Sequence, residues 1–254
     1  MMLLLLRGLI VGLLLATSFA PFATELPDLV ATVRPSVVGI GTFVALRSPQ
    51  HQLSGTGFIV GDGHLVITNY HVVAGSEMSP EKSGDLVVFI GRGRTPDVRR
   101  ATVAAEDRFH DLAVLKITGP AGPSLTLNAA LEVREGGSVA IMGFPIGAVL
   151  GLYPATNSGI VSAVSPIAIP QGSPQALTAA QIRRLRDPFE VYQLDIIAYP
   201  GNSGSPVFDV RSGTVIGVVN SVLARSGKEG LLKDPSAITY AIPIQHALKL
   251  LEIR

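Results

Sequence analysis

The chain has 254 residues, 47% hydrophobic and only 15% charged, with 27 Gly, 18 Pro, no Cys and a formal net charge of +1. The lack of a basic excess argues against nucleic-acid binding by charge, the lack of cysteine excludes a disulfide scaffold and a Cys-ligated zinc site, and the apolar content opposes disorder. So much Gly and Pro favours many short elements joined by turns over a long helical bundle.

Residues 1–23, MMLLLLRGLIVGLLLATSFAPFA, place one Arg before an apolar run and then small residues. That is the layout of a secretory signal peptide. Cleavage is expected after Ala23 rather than Ala20, because Pro21 follows Ala20. The alternative is an uncleaved anchor. Gly8–Ala20 is shorter than the roughly 20 residues that span a bilayer, yet Met1–Leu6 are apolar as well. Export without disulfides suits a bacterial periplasm or secretion, with membrane attachment expected only if this segment is retained.

Beyond it, runs rich in Val and Ile are bounded by Gly, Pro, Asp and Ser, as strands are. The first half carries six: Ser36–Leu46, Gly55–Val60, His64–Asn69, Asp85–Gly91, Arg99–Ala105 and Leu112–Ile117. The second half carries six more: Ser138–Gly143, Ala155–Ser165, Val191–Ile197, Pro206–Val210, Thr214–Ser221 and Ile238–Ile242. Residues 121–137, with further Gly and Pro, read as a linker. The expected fold is all-β: two six-stranded antiparallel β-barrels over 24–120 and 138–254, closed by a short C-terminal helix. That helix is expected at Ile244–Ile253, where Ile244, Ala247, Leu248 and Leu251 share one face. A second is expected at Ala179–Arg186, inside a Gln171–Glu190 insertion. Thr178 and Gln181 have capping-box spacing, and Asp187-Pro188 ends the helix. Its outer face carries Arg183, Arg184 and Arg186. Ser76–Gly84 and Arg92–Arg100 read as solvated loops, and His51 as part of a polar loop. His64 and His110 read as strand-end residues without a catalytic role.

Three segments carry chemistry. Thr68-Asn69-Tyr70-His71 closes an apolar strand, His110-Asp111-Leu112 opens another, and Pro200-Gly201-Asn202-Ser203-Gly204-Ser205-Pro206 joins two strands. Serine hydrolysis needs a base for the hydroxyl proton, a carboxylate to orient that base and backbone N–H groups for the oxyanion. A Ser between two Gly in a tight turn exposes its hydroxyl and aims neighbouring amides at one point. The order His71, Asp111, Ser203 is the trypsin-like order. Two other hydrolase readings fit worse. An α/β-hydrolase with Ser203, Asp234 and His246 would need Gly at 205 and a helix where Pro206 stands. A metal hydrolase would need ligand spacing that His51, His64, His71 and His246 do not have. No metal or cofactor is implied. A third reading, from another class, is a weakly active or non-catalytic module on the same fold that holds exposed polypeptide.

The chain resembles trypsin-like serine proteases of the HtrA (Deg) type. The matching stretches are LPDLVATVRPSVVGI, GTGFIVGDGHLVITNYHVV, HDLAVLKI, VAIMGFPIG, NSGIVSAV, YPGNSGSPVFD and ITYAIPI. The resemblance implies a catalytic triad of His71 as base, Asp111 as orienter and Ser203 as nucleophile. It implies an oxyanion hole from the amides of Gly201, Asn202 and Ser203, chiefly Gly201 and Ser203. Ile197 and Ala198, with Val219, Asn220 and Ser221 opposite, would form an apolar pocket for a small or medium aliphatic side chain. Polypeptide is the implied substrate, extended along Val218–Val222. Homotrimers built on N-terminal contacts are common in the family, with Phe22 and Leu26–Val30 the candidate segment here. The sequence departs from the pattern at Ser205, where a second Gly is usual. The PDZ domains common in the family are expected to be absent. Neutral Asn202, where digestive relatives have Asp, argues against activation by a newly cut N-terminus. The 171–190 insertion lies where the family carries an activation-sensing loop.

Overall fold

The computed structural model of the chain describes residues 25–78, 84–145, 151–167, 186–220 and 238–253. Residues 1–24 with the expected signal peptide, Ser221 and the expected helix up to residue 185 lie outside the described residues. The twelve strands are β1 Val37–Phe43, β2 His51–Val60, β3 Leu65–Thr68, β4 Asp85–Ile90, β5 Asp97–Asp107, β6 Leu112–Ile117, β7 Ser138–Gly143, β8 Ala155–Pro166, β9 Glu190–Asp195, β10 Pro206–Asp209, β11 Val215–Asn220 and β12 Ile238–Pro243. They form two closed antiparallel barrels, ordered β1-β2-β3-β6-β5-β4 and β7-β8-β9-β12-β11-β10. The two orders are the same, so the six-plus-six pattern is a repeat of topology, as expected.

Among the described residues, three α-helices accompany the barrels: α1 Leu26–Val33, α2 Tyr70–Met78 and α3 Ile244–Glu252. Only α3 is written into the local sequence pattern. It buries Ile244, Ala247 and Leu250 in the same core as Leu112 of β6 and Val218 of β11, across the seam between the barrels. Helix α1 buries Leu29 and Val33 in that core. Leu29 lies where a side chain at Gly213 would stand, in the β10–β11 turn. Within the Leu26–Val30 stretch Leu29 thus packs on its own chain, while Pro27 and Asp28 are exposed. Each barrel also has its own interior. Ile40, Ile59 and Leu115 fill the first, and Ile141, Leu194 and Val219 the second.

Two loop readings change. His51 begins β2 and lies against the rings of Phe43 and Phe89, with centroids at 5.0 and 5.6 Å. The strand was expected to start at Gly55 because His51–Ser54 carry little apolar signal, yet His51 and Gln52 pair with Phe43 and Thr42 of β1. Of the linker, Leu125 bridges to Val60 of the first barrel and Leu127 to Val215 of the second.

His110 and His246 stack at 3.8 Å between centroids, joining the β5–β6 turn to α3. His110 Nδ1 lies 2.5 Å from Asp107 Oδ2. Burial alone would raise the Asp107 pKa. The His110 hydrogen bonds and charge, with the Phe109 N–H, outweigh it and hold the carboxyl at about 2. Burial, then the charges of His110 and Lys249, lowers His246 to about 4. Unfolding releases His246 to its ordinary 6.5. Between those values the unfolded chain binds the extra proton, so stability falls as pH drops from 6.5 towards 4. Urea midpoints at pH 7 and pH 4 should register a loss on the order of 2–3 kcal/mol from this group. His246→Phe, which keeps a ring on His110, should abolish that part of the slope. The Asp107 contribution is full above its ordinary 3.8 and is lost only as pH falls on towards 2.

Candidate active site

The site forms where α2, the turn before β6 and the turn before β10 meet. Tyr70 and His71 occupy the first turn of α2, so their amides have no partner within the helix. Asp111 supplies both partners. Its carbonyl accepts the Tyr70 N–H at 3.1 Å and its Oδ1 accepts the His71 N–H at 2.9 Å. A carboxylate at a helix N-terminus is also favoured by the helix dipole. His71 therefore stands on a helix rather than at the strand end expected from sequence, and the residue that caps this helix is the one that pairs with the imidazole.

Asp111 Oδ2 lies 2.6 Å from His71 Nδ1. The same oxygen accepts a hydrogen bond from Asn220 Nδ2 at 2.6 Å, and the Asp111 carbonyl accepts another from Asn69 Nδ2 at 3.0 Å. Asp111 adopts φ 57°, the left-handed region. Aspartate visits this region more readily than most residues. That backbone turn lets the carbonyl serve α2 while the side chain reaches His71. With Nδ1 of His71 engaged, Nε2 is the ring nitrogen left to take a proton.

Ser203 lies in the turn from Gly201 to Ser205, with φ 99° at Gly201 and 86° at Gly204. Main-chain bonds fix the turn to both barrels. Ser203 carbonyl accepts the Thr56 N–H at 2.9 Å, and Gly204 N–H donates to Val219 carbonyl at 3.0 Å. Thr56 Oγ1 donates to Gly201 carbonyl at 2.7 Å and accepts the Phe144 N–H at 3.0 Å. A Cβ on Gly204 would sit 2.0 Å from the Thr56 carbonyl oxygen, so glycine is required there by close approach as well as by φ. Thr56, which bonds to the turn, and Asn220, which bonds to Asp111, were not singled out in these roles. Their only sequence signal is position, Thr56 within GTGFIV and Asn220 at the end of β11.

Of the three amides expected to receive an oxyanion, that of Asn202 already donates to Tyr199 carbonyl at 3.0 Å. Gly201 and Ser203 remain as the donors the reading needs. The expected pocket residues divide. Ile197 is exposed and Ala198 partly buried, beside the nucleophile turn. Val219 is fully buried in the second barrel's core, its N–H donates to the Ser205 carbonyl and its own carbonyl accepts from Gly204. It supports the turn from behind. Asn220 directs its side chain to Asp111, not to a pocket. Val218 is paired with Pro206 of β10 on one side and Ile242 of β12 on the other. A substrate strand therefore cannot add at Val218–Val219, and the part of the expected pairing run from Ser221 lies outside the described residues.

Removing the Asn220 amide takes away one of two side-chain donors to Asp111 Oδ2. A hydrogen bond to a charged group contributes about 1.5–3 kcal/mol. Asn220→Ala should therefore lower kcat by about 10- to 100-fold with KM little changed, as steady-state kinetics on a peptide substrate would register.

Residues 55–218 match the family model of the trypsin-like peptidase domain, a span that contains His71, Asp111 and Ser203. The chain is 31% identical over 206 residues to a probable periplasmic serine endoprotease DegP-like of Halomonas elongata, covering 80% of this chain and 35% of that protein. It is 32% identical over 195 residues to the putative serine protease HhoA of Synechocystis, covering 76% of this chain and 41% of the other. The chain thus spans little more than a third of the length of these relatives. Among solved structures, an HtrA-type protease AlgW with tripeptide superposes with TM-score 0.63 at 24% identity, over 90% of this chain and 62% of that one. A serine endoprotease from Yersinia pestis superposes with TM-score 0.62 at 23% identity, over 90% of this chain and 66% of that one. At such identities the two structures share the fold.

Proposed function

The chain belongs to the trypsin-like peptidase family, and from that membership we propose that it is an exported serine endopeptidase of the HtrA type, cutting unfolded or damaged polypeptides through an acyl-enzyme. The observation that carries the reading is the 2.6 Å pairing of Asp111 with His71 Nδ1, made by the residue that also fixes the start of α2. A bare Ser-Gly turn would be weak support. A turn latched to the barrel that carries the base and its orienter is strong support.

In this reading Ser203 Oγ attacks the scissile carbonyl carbon while His71 Nε2 takes its proton. Negative charge gathers on the carbonyl oxygen, towards which the Gly201 and Ser203 amides donate. Asp111 stabilises the imidazolium and keeps its own charge. The imidazolium then protonates the leaving amine and the acyl-enzyme forms. Water, deprotonated by His71, releases the acid and restores Ser203. The substrate side chain before the cut meets Ile197 and Ala198, which favours a small or medium aliphatic residue. The periplasmic naming of the DegP-like relatives supports export. No helix among the described residues is long and apolar enough to cross a membrane.

The test is digestion of one protein substrate presented unfolded and folded, with fragments read by mass spectrometry. Internal cuts in the unfolded form, absent with Ser203→Ala, are expected. An unfolded substrate that is retained by the chain but never cut would overturn the reading in favour of a binding module.

A further inference from the structure

Behind the nucleophile turn, two buried side-chain atoms have no hydrogen-bond partner: Ser205 Oγ and Asn202 Oδ1. Both residues are almost wholly removed from solvent. Both atoms border one notch. The position a Cβ on Gly143 would take lies 2.0 Å from Ser205 Oγ and 3.0 Å from Asn202 Oδ1. The Ser205 N–H donates to the Asn202 carbonyl at 3.0 Å, so the spacing of the two backbones is fixed. Asn202 in turn lies between Gly201 and Ser203, whose amides the proposed oxyanion hole uses.

The two groups are complementary. A hydroxyl both gives and accepts a hydrogen bond, and a carboxamide offers an oxygen or an NH2. Leaving either unpaired in a buried site is unfavourable. Glycine at 205 would leave the carboxamide without this partner, and a side chain at 143 would occupy the space between them.

We propose that Ser205 is a positioning residue for the oxyanion turn: its hydroxyl pairs with the Asn202 carboxamide across the Gly143 notch and so sets the Gly201 and Ser203 amides. The two groups are unpaired in the arrangement described, so the bond forms by rotation of the Ser205 or Asn202 side chain across the notch with the backbone spacing kept, and the competence of the turn is tied to it. This inference rests on Ser203 being the nucleophile and names what controls it.

The experiment measures phosphonylation of Ser203 by a fluorophosphonate in the full chain, with urea unfolding alongside, for wild type, Ser205→Ala, Asn202→Ala and the double variant. Ser205→Ala should slow the saturating rate by about three- to tenfold and leave the half-saturation concentration unchanged. The double variant should be no slower than Asn202→Ala. Gly143→Ala should slow labelling too, with relief in the Ser205→Ala background. A Ser205→Ala chain that labels as fast as wild type overturns the proposal, as do effects at 205 and 202 that simply multiply. A wild type that takes no label fails the reading of Ser203 itself. Urea unfolding of the four chains then decides the pair, since additive losses overturn it and a shared loss sustains it.

Discussion

Replacing Ser203 with Ala should lower peptide turnover roughly 10⁶-fold and abolish fluorophosphonate labelling, with the melting temperature unchanged. The size follows from losing a group that acts only as part of a unit: without the nucleophile, the base and its orienter have no proton to move. The unchanged stability follows from how the turn is held. Thr56 N–H bonds to Ser203 carbonyl, Gly204 N–H to Val219 carbonyl and Ser205 N–H to Asn202 carbonyl, and none of these uses the Ser203 hydroxyl. Ser205 serves as an internal control, because it is a serine two residues away that is wholly buried. Peptide mapping should place the label on Ser203 alone. Label that persists after Ser203→Ala would move the nucleophile elsewhere and end the triad reading.

The barrels were legible because strand signals are local. Apolar β-branched runs bounded by Gly, Pro and Asp recur in β3, β6 and β11, and each is buried as its composition requires. Helix α2 was not legible, because its start is specified by a distant residue. Asn69 stands before the helix where a capping side chain is usual, but it donates to the Asp111 carbonyl, and Asp111 receives the first amides instead. A local reading sees only Val72 and Val73 and extends a strand. The start of β2 was missed for the opposite reason. Its first residues are polar and partly exposed, and pairing with β1 recruits them without an apolar pattern.

His71 and Asp111, which pair in the structure, were recognisable from type, order and motif, whereas the residues that hold them in place were not. Val219 shows the limit. Its apolar character fits a pocket wall as well as a barrel interior, and its place in the second barrel's core comes only with the fold. Asn220 shows the same limit for a polar residue. Nothing in the VIGVVN run distinguishes an amide that meets substrate from one that meets a carboxylate across the seam between barrels.

Asp111→Asn should reduce kcat roughly 10⁴-fold at neutral pH while leaving the chain folded. Folding should survive because asparagine is also among the residues that accept the left-handed backbone found at 111. Activity should not, because the site presents three donors to two carboxylate oxygens. His71 N–H reaches Oδ1, and both His71 Nδ1 and Asn220 Nδ2 reach Oδ2. A carboxamide has one oxygen. With that oxygen in the Oδ2 position, its NH2 faces the His71 amide, donor against donor, at the start of α2. With the groups exchanged, the NH2 faces both the Asn220 amide and His71 Nδ1. The imidazole must then accept at Nδ1 and carry its proton on Nε2, the nitrogen that has to receive the serine proton. Either arrangement loses catalysis, the first by displacing His71 and the second by fixing the wrong tautomer. Saturating labelling rates at Ser203, taken with the melting temperature, separate this loss from unfolding. A folded Asp111→Asn chain that labels within tenfold of wild type would remove Asp111 from the triad and leave its capping of α2 as its whole role.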